Sequence, residues 1–331
     1  MKITVLGAGA WGTAFGQVLA DAGNDVTMWA IEPEIVEGIR DRHHNAVRLP
    51  SVERLPENMT ATGDRAEAVR GAEIIIVSIA AQAARVALEP FRDLIPGDAI
   101  VVSLMKGIER TTGKRMDEVV TEALGLPEGR FAAISGPNLS KEIAAREPAA
   151  TVVACTNIDN ARRVAHACTT HYFKAFVTTD VIGLEMCGSL KNVIALAVGM
   201  ARGAGYGENT AAMIETRGLS EMTALGKAAG ADPKTFCGLA GVGDLIATCG
   251  SPLSRNYTFG ANLGKGLSVE EATRVSNGVA EGVPTTDAVV ALGRKLGVPT
   301  PLTTAMSHVL DRGISCSEML AELFGPDITE E

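Results

Sequence analysis

The sequence predicts an α/β protein: an N-terminal doubly wound, mostly parallel sheet over residues 1–180, then an all-helical C-terminal domain over residues 181–331. Three observations lead there. As far as about residue 180, short runs rich in Val and Ile alternate with helix-like segments. Several runs, such as Ile74-Ile75-Ile76-Val77, are continuous rather than alternating, which marks strands covered by helices on both faces. Beyond that point convincing β-branched runs stop and long helical segments take over.

The first strand, Ile3–Leu6, leads into Gly7-Ala8-Gly9-Ala10-Trp11-Gly12 and a helix reaching about Ala22. Strand, GxGxxG and helix in this order form the Rossmann-type context for a dinucleotide. Gly7 permits the tight turn, Gly9 lets the backbone approach a pyrophosphate, and Gly12 lets helix and strand pack closely. The helix N-terminus supplies amide donors and a positive dipole end. The second strand, Asp25–Ala30, is followed by Ile31-Glu32, twenty residues after Gly12. Glu32 can accept hydrogen bonds from both ribose hydroxyls of NAD and would repel the 2′-phosphate of NADP. Equally, it can serve only to open the helix beginning near Pro33, since acidic residues are common in a first helical turn. Arg48, in the following loop, is the candidate for holding a 2′-phosphate. The reading leans to NAD.

Further strands are expected at Ile74–Ile79, Ala99–Leu104, Phe131–Ser135, Thr151–Cys155 and Phe173–Val177, with connections long enough for crossover helices. Val181–Met200, Thr210–Ala229, Ser268–Gly278 and Thr285–Leu296 then read as helices, each ending near a glycine or a turn. Asp232-Pro233 marks another helix start, and Ser268 with Glu271 makes a capping box.

Composition narrows the class. Apolar residues at 46% and charged ones at 21% exclude wholesale disorder, collagen and coiled coil. A net charge of −9 gives no reason to seek nucleic acid or anionic lipid, so an anionic ligand must be held by a local cluster of Lys and Arg. The uncharged run Leu296–Leu310 falls short of the roughly 18 residues of a membrane span and contains Pro299 and Pro301. The apolar start after Lys2 is explained by the glycine motif better than by a signal peptide, and the expected compartment is the cytoplasm. Six cysteines without a CxxC pair read as buried free thiols, which suits a reducing compartment. Five histidines without an HxxxH or HExxH pair give no expectation of a metal site.

Candidates for binding an anionic substrate lie in three separated segments. Lys106 follows the end of a predicted strand, where open α/β sheets bind ligands. Lys191-Asn192 sits inside an apolar helix, where an ammonium is costly unless paired or catalytic. Ser254-Arg255-Asn256 groups hydroxyl, guanidinium and amide after a turn, and Arg is shaped for two-point contact with phosphate. Lys106 and Arg255 can equally be solvated surface charges. Asp244, in Gly241-Val242-Gly243-Asp244, can equally be a turn residue. Spacing alone does not bring these groups together.

The ordered series Gly7–Gly12 with Trp11, Met105-Lys106-Gly107, Ser135-Gly136-Pro137-Asn138, Lys191-Asn192, Gly241-Val242-Gly243-Asp244-Leu245, Ser254-Arg255-Asn256 and Glu281-Gly282 resembles the NAD(P)-dependent glycerol-3-phosphate dehydrogenases of the soluble bacterial type. The likeness runs from Ile3 to about Gly325 and includes Gly205–Asn209 and Arg217-Gly218-Leu219. The resemblance implies reversible hydride transfer between sn-glycerol 3-phosphate and dihydroxyacetone phosphate, with NAD(P) as cofactor and supply of phospholipid synthesis as the role. It implies Lys191 as general acid/base on the C2 oxygen, with Lys106 and Asp244 completing the catalytic group. Gly136, Asn138, Asn192, Ser254, Arg255 and Asn256 match substrate contacts. Ala10, Trp11, Ser140, Val279 and Glu281 match cofactor contacts, joined by Lys106 and Arg255 and, at the end of the second strand, Ile31.

Three departures accompany it. Asn138 stands where a small hydroxyl residue is frequent, Ser140 where Ala is frequent, and Ile31-Glu32 lacks the basic residues of NADP-preferring bacterial members. Competing readings are another two-domain ketoacid or hydroxyacid reductase and a noncatalytic NAD(H) sensor. A small-molecule substrate is the expected partner. Oligomeric state stays open, with a homodimer compatible.

Overall fold

The computed structural model describes residues 1–276 and 280–325. Its N-terminal part is an eight-stranded sheet: β1 (Lys2–Leu6), β2 (Asp25–Trp29), β3 (Met59–Thr62), β4 (Ile74–Val77), β5 (Ile100–Ser103), β6 (Phe131–Ser135), β7 (Ala149–Ala154) and β8 (Phe173–Thr178). The order across the sheet is β3-β2-β1-β4-β5-β6-β7-β8. All neighbouring pairs are parallel except β6 and β7, so the sheet is mostly parallel, as expected. Chain order reverses at β1, and the crevice at the carboxyl ends of β1 and β4 is where open α/β sheets take their ligands.

Two apolar cores cover the two faces of the sheet. One joins Ile3, Val5 and Ile76 to Phe15, Val18, Ile39 and Val164 from helices. The other joins Leu6, Ile75 and Val101 to Phe91, Val119 and Val120, and also to Leu184, Cys187 and Leu190 of the second part of the chain. The expected strand runs are present within two residues at each end. β3 was not foreseen, because Met-Thr-Ala-Thr is short and half polar and carries little strand signal.

Among the described residues every regular element after β8 is helical. The central helix, Val181–Gly203, is buried along nearly its whole length. It is apolar and long enough to cross a membrane by composition, but 94% of its most apolar window is inside the protein, so it is a core helix. Packing this tight requires bare backbone. A Cβ at Gly260 of the Arg255–Gly264 helix would stand 2.1 Å from the Leu196 carbonyl oxygen, and one at Gly199 would stand 2.1 Å from that of Tyr257. A third core, with Val193, Leu196, Met200, Phe259, Leu302 and Met306, follows from this contact.

The capping box at Ser268 and Glu271 is present, and Asp232 caps the helix beginning at Pro233 through the Lys234 amide. The helix expected over Ser268–Gly278 spans Val269–Val275, and Gly278 lies outside the described residues. The helices Asp244–Gly250, Arg255–Gly264 and Pro301–Arg312 add to those expected from the sequence. All six cysteines are free, but Cys237 is exposed, a correction to the expectation of uniformly buried thiols.

Candidate functional site

The nucleotide end of the cleft is made of backbone. Gly7 sits at φ +107°, and a Cβ there would stand 2.3 Å from the Ser78 carbonyl oxygen at the end of β4. A Cβ at Gly12 would stand 2.3 Å from the Gly7 carbonyl oxygen. At Gly9, by contrast, a Cβ would meet nothing within 4 Å, so the loop is packed tightly on the protein side and open on the other. Gly9 is also the N-cap of the Ala10–Asp21 helix and offers no side-chain acceptor to its first amides. Open space in front of uncapped amides and a helix dipole fits a pyrophosphate. Asn45, buried, donates to the Ala8 carbonyl at 3.0 Å and to Thr13 Oγ1 at 2.8 Å, tying the next loop to this one.

At the end of β2, Ile31 is 73% exposed and Glu32 is the N-cap of the helix from Pro33. The Glu32 side chain makes no capping bond; its carboxylate accepts from the Arg48 guanidinium at 3.1 Å instead. Glu32 thus opens the helix by its position, as one of the two sequence readings has it, while its side chain turns to Arg48. Val279 lies outside the described residues. Ser140 opens the short Ser140–Ala144 helix, which packs against the glycine-loop helix.

The chemical end is made of side chains. Lys106, three residues past β5, reaches across the cleft, and its Nζ donates to Asp244 Oδ2 at 2.7 Å and to the Gly136 carbonyl at 3.3 Å. Lys191 Nζ, from the middle of the central helix, donates to Asp244 Oδ1 and to Thr248 Oγ1, the latter at 2.7 Å. Ser135 Oγ lies 3.4 Å from Asp244 Oδ2. Asp244 is 1% exposed and starts the Asp244–Gly250 helix after a turn of π-helix over Leu239–Gly243, so it is a buried ion-pair centre and not an exposed turn residue.

One carboxylate thus bridges two ammonium groups from the two halves of the chain. Burial alone would raise the Asp244 carboxyl, but Lys106 and Lys191 outweigh it and hold it below the usual carboxylate range. Lys191 is pushed down to about 7, first by burial and then by the Lys106 cation, against the pull of Asp244. A lysine near 7 holds both protonation states at neutral pH, which a reversible acid/base requires. Thr248 was missed from sequence. It lies one helical turn after Asp244, a signal that exists only once that helix is recognised.

The remaining predicted residues fall into two groups. Asn256 Nδ2 donates to Asn192 Oδ1 at 2.9 Å, and the Gly282 amide donates to Asn256 Oδ1 at 2.9 Å, so these amides brace three helices against one another. Ser254 caps the Arg255–Gly264 helix through the Tyr257 amide at 3.2 Å. Asn138 Nδ2 donates to Thr151 at 2.8 Å while its buried Oδ1 has no partner. Arg255 is exposed at the first position of its helix, close enough to the half-buried Glu281 for its charge to act on it. Glu281 Oε2 is buried without a partner, and burial raises this carboxyl despite Arg255. An orphaned buried acceptor fits a donor group carried by a bound cofactor.

Two family models cover the chain: the N-terminus of NAD-dependent glycerol-3-phosphate dehydrogenase over residues 2–161 and its C-terminus over residues 180–321. A glycerol-3-phosphate dehydrogenase [NAD(P)+] of Bifidobacterium longum subsp. infantis is 83% identical over 330 residues, covering 100% of this chain and 99% of its own. One from Corynebacterium kroppenstedtii is 49% identical over 332 residues, with both chains covered completely. Among solved structures, the glycerol-3-phosphate dehydrogenase of Coxiella burnetii superposes with a TM-score of 0.92 at 33% identity, covering 98% of each chain.

Proposed function

We propose, from the premise that the chain belongs to the NAD-dependent glycerol-3-phosphate dehydrogenase family, how its own residues carry that family's reaction. The chain is an NAD(P)-dependent oxidoreductase acting on a CH–OH group, interconverting sn-glycerol 3-phosphate and dihydroxyacetone phosphate, with supply of phospholipid synthesis as its role. Residues 1–180 bind the dinucleotide and residues 181–331 supply the catalytic helices. The observation that carries the assignment of roles is the buried Asp244 carboxylate shared by Lys106 and Lys191.

When bound, the nicotinamide cofactor accepts or returns the hydride at C2. Gly7, Gly9, Ala10, Trp11 and Gly12 form the cradle that receives its pyrophosphate. In the oxidative direction neutral Lys191 takes the proton of the C2 hydroxyl. In the reductive direction its ammonium form donates that proton back and stabilises charge growing on the carbonyl oxygen. Asp244 and Thr248 hold Nζ of Lys191 in one place. Lys106 and Arg255 hold the substrate phosphate, whose binding energy orients C2. Gly136, Asn138, Asn192, Ser254 and Asn256 shape the walls around it. The cytoplasm is the compartment of this reading, in line with six free cysteines.

Initial rates of NADH and NADPH oxidation with dihydroxyacetone phosphate test the proposal. Lys191→Ala, with circular dichroism unchanged, is expected to lose about 10³-fold in kcat, within the range for a removed acid/base. Loss of tenfold or less would remove Lys191 from that role. The intact lysine also argues against a cofactor sensor, which has no proton to transfer.

A further inference from the structure

The central helix carries a bare position where Lys106 crosses it. A Cβ at Gly188 would stand 3.0 Å from Ser135 Oγ, 3.3 Å from Lys106 Cγ and 3.7 Å from Lys106 Cδ. The methylene stem of Lys106 therefore lies directly on helix backbone before its ammonium meets Asp244. One turn earlier on the same face, the buried Glu185 carboxylate accepts from the Met116 amide at 3.0 Å. One turn later comes Lys191. The segment from Lys106 to Met116 is thus seated on the central helix at both ends. Between them it is clamped from the other side, by Arg85 on Glu109 at 2.9 Å and by Gln82 on the Ile108 carbonyl at 2.8 Å.

We propose that Gly188 is a positioning residue for the reaction: its missing side chain is the seat of the Lys106 stem, and it sets how closely Lys106 and Lys191 share Asp244. The proposal rests on the roles given above to the two lysines. Separations of 3.0–3.3 Å are tighter than ordinary contact to a methyl group, so some neighbour must yield by a few tenths of an ångström. The Ser135 hydroxyl, on a buried strand end, can only turn about its own Cα–Cβ bond, whereas the flexible Lys106 stem can slide, so the displacement that reaches the site is that of Lys106. Its ammonium then withdraws from Asp244 and from Lys191. The Lys106 cation is one of the influences that hold Lys191 low, so its withdrawal lets Lys191 rise.

Gly188→Ala is the test, and alanine is the better helix former, so the fold is not the weak point. The acidic limb of kcat/KM for glycerol 3-phosphate oxidation is expected to move up by about half a pH unit. The rate on the plateau is expected to fall about tenfold, the scale of a small misplacement at a reacting centre. Removing the nearest obstacle, in Gly188→Ala with Ser135→Ala, is expected to return part of the loss relative to Ser135→Ala alone. Competitive acetylation followed by mass spectrometry reads the titration of Lys191 without any turnover. A higher midpoint in Gly188→Ala supports the proposal even if the wild type proved unable to oxidise glycerol 3-phosphate, which would overturn only the reaction. An unchanged Lys191 midpoint, or a rate loss accompanied by lowered thermal stability with the pH limb in place, would overturn the proposal and leave Gly188 as a packing residue.

Discussion

The two ends of the cleft are made of different material. The nucleotide end is backbone, three glycines and a helix N-terminus within six residues of chain. The chemical end is side chains, brought to one carboxylate from positions 53 and 138 residues away. In a backbone cradle the fold itself tolerates a side chain where the outer face is open, as at Gly9, and the cost falls on the pyrophosphate that approaches there. A shared buried carboxylate tolerates none, because each lysine depends on a charge the other also uses. Removing one member of a buried charged set costs about 3–5 kcal/mol, since it leaves uncompensated charge behind. Asp244→Asn is therefore expected to have the largest effect, lowering the melting temperature by several degrees and abolishing measurable turnover. A variant as stable as the wild type would break the contrast between the two ends.

At the nucleotide end the corresponding prediction is smaller and of another kind. Gly12→Ala forces a methyl to within 2.3 Å of the Gly7 carbonyl oxygen, so the loop must move. The expected result is a rise of about tenfold or more in KM for NADH with kcat much less affected, a loss of binding rather than of chemistry. If kcat fell as far as KM rose, the two ends would not be separable in the way their construction implies.

This contrast also explains what could be read in the sequence. The glycine cradle was legible because Gly7, Gly9 and Gly12 act within one strand–turn–helix unit, where spacing is geometry. The buried strands were legible from runs such as Ile74–Val77, whereas β3 was hidden by its polar threonines. Lys106, Lys191 and Asp244 could be singled out only as separate oddities, and resemblance alone joined them, since no local rule predicts a contact across 138 residues. Thr248 and Gly188 escaped altogether. Thr248 requires the helix that Gly241 and Gly243 disguise as a turn, and Gly188 matters only through what lies against it.

The pH dependence sharpens the picture of the chemical end. As the proposed acid/base, Lys191, lowered to about 7, must be neutral to accept the C2 proton and charged to return it. With a base that works when deprotonated, kcat/KM for glycerol 3-phosphate oxidation is expected to rise as pH climbs through about 7 and then level off. For dihydroxyacetone phosphate reduction the sign reverses, and the rate falls as pH climbs through the same range. Both profiles from one preparation provide the measurement. Limbs moving in the same direction would show that Lys191 does not serve both directions.

The smallest effect is expected where side chains return to the nucleotide end, at Glu32 and Arg48. Their ion pair is half exposed, so it adds little to stability, on the order of 0–1 kcal/mol, and neither truncation should shift the melting temperature much. Its consequence is for the cofactor. On the proposed reading Glu32 accepts from ribose hydroxyls, and Arg48, paired with it, masks part of its charge and supplies the cation a 2′-phosphate requires. Arg48→Ala leaves the carboxylate bare, so KM for NADPH should rise several-fold to about tenfold while that for NADH changes little, the scale of one lost charge-assisted contact. Glu32→Ala should move the ratio the opposite way by removing the acceptor and freeing the guanidinium. Titration with ADP-ribose and its 2′-phosphate separates binding from turnover. Equal changes for the two compounds would mean that the pair only closes the loop over β2, and that cofactor choice is made elsewhere in the cradle.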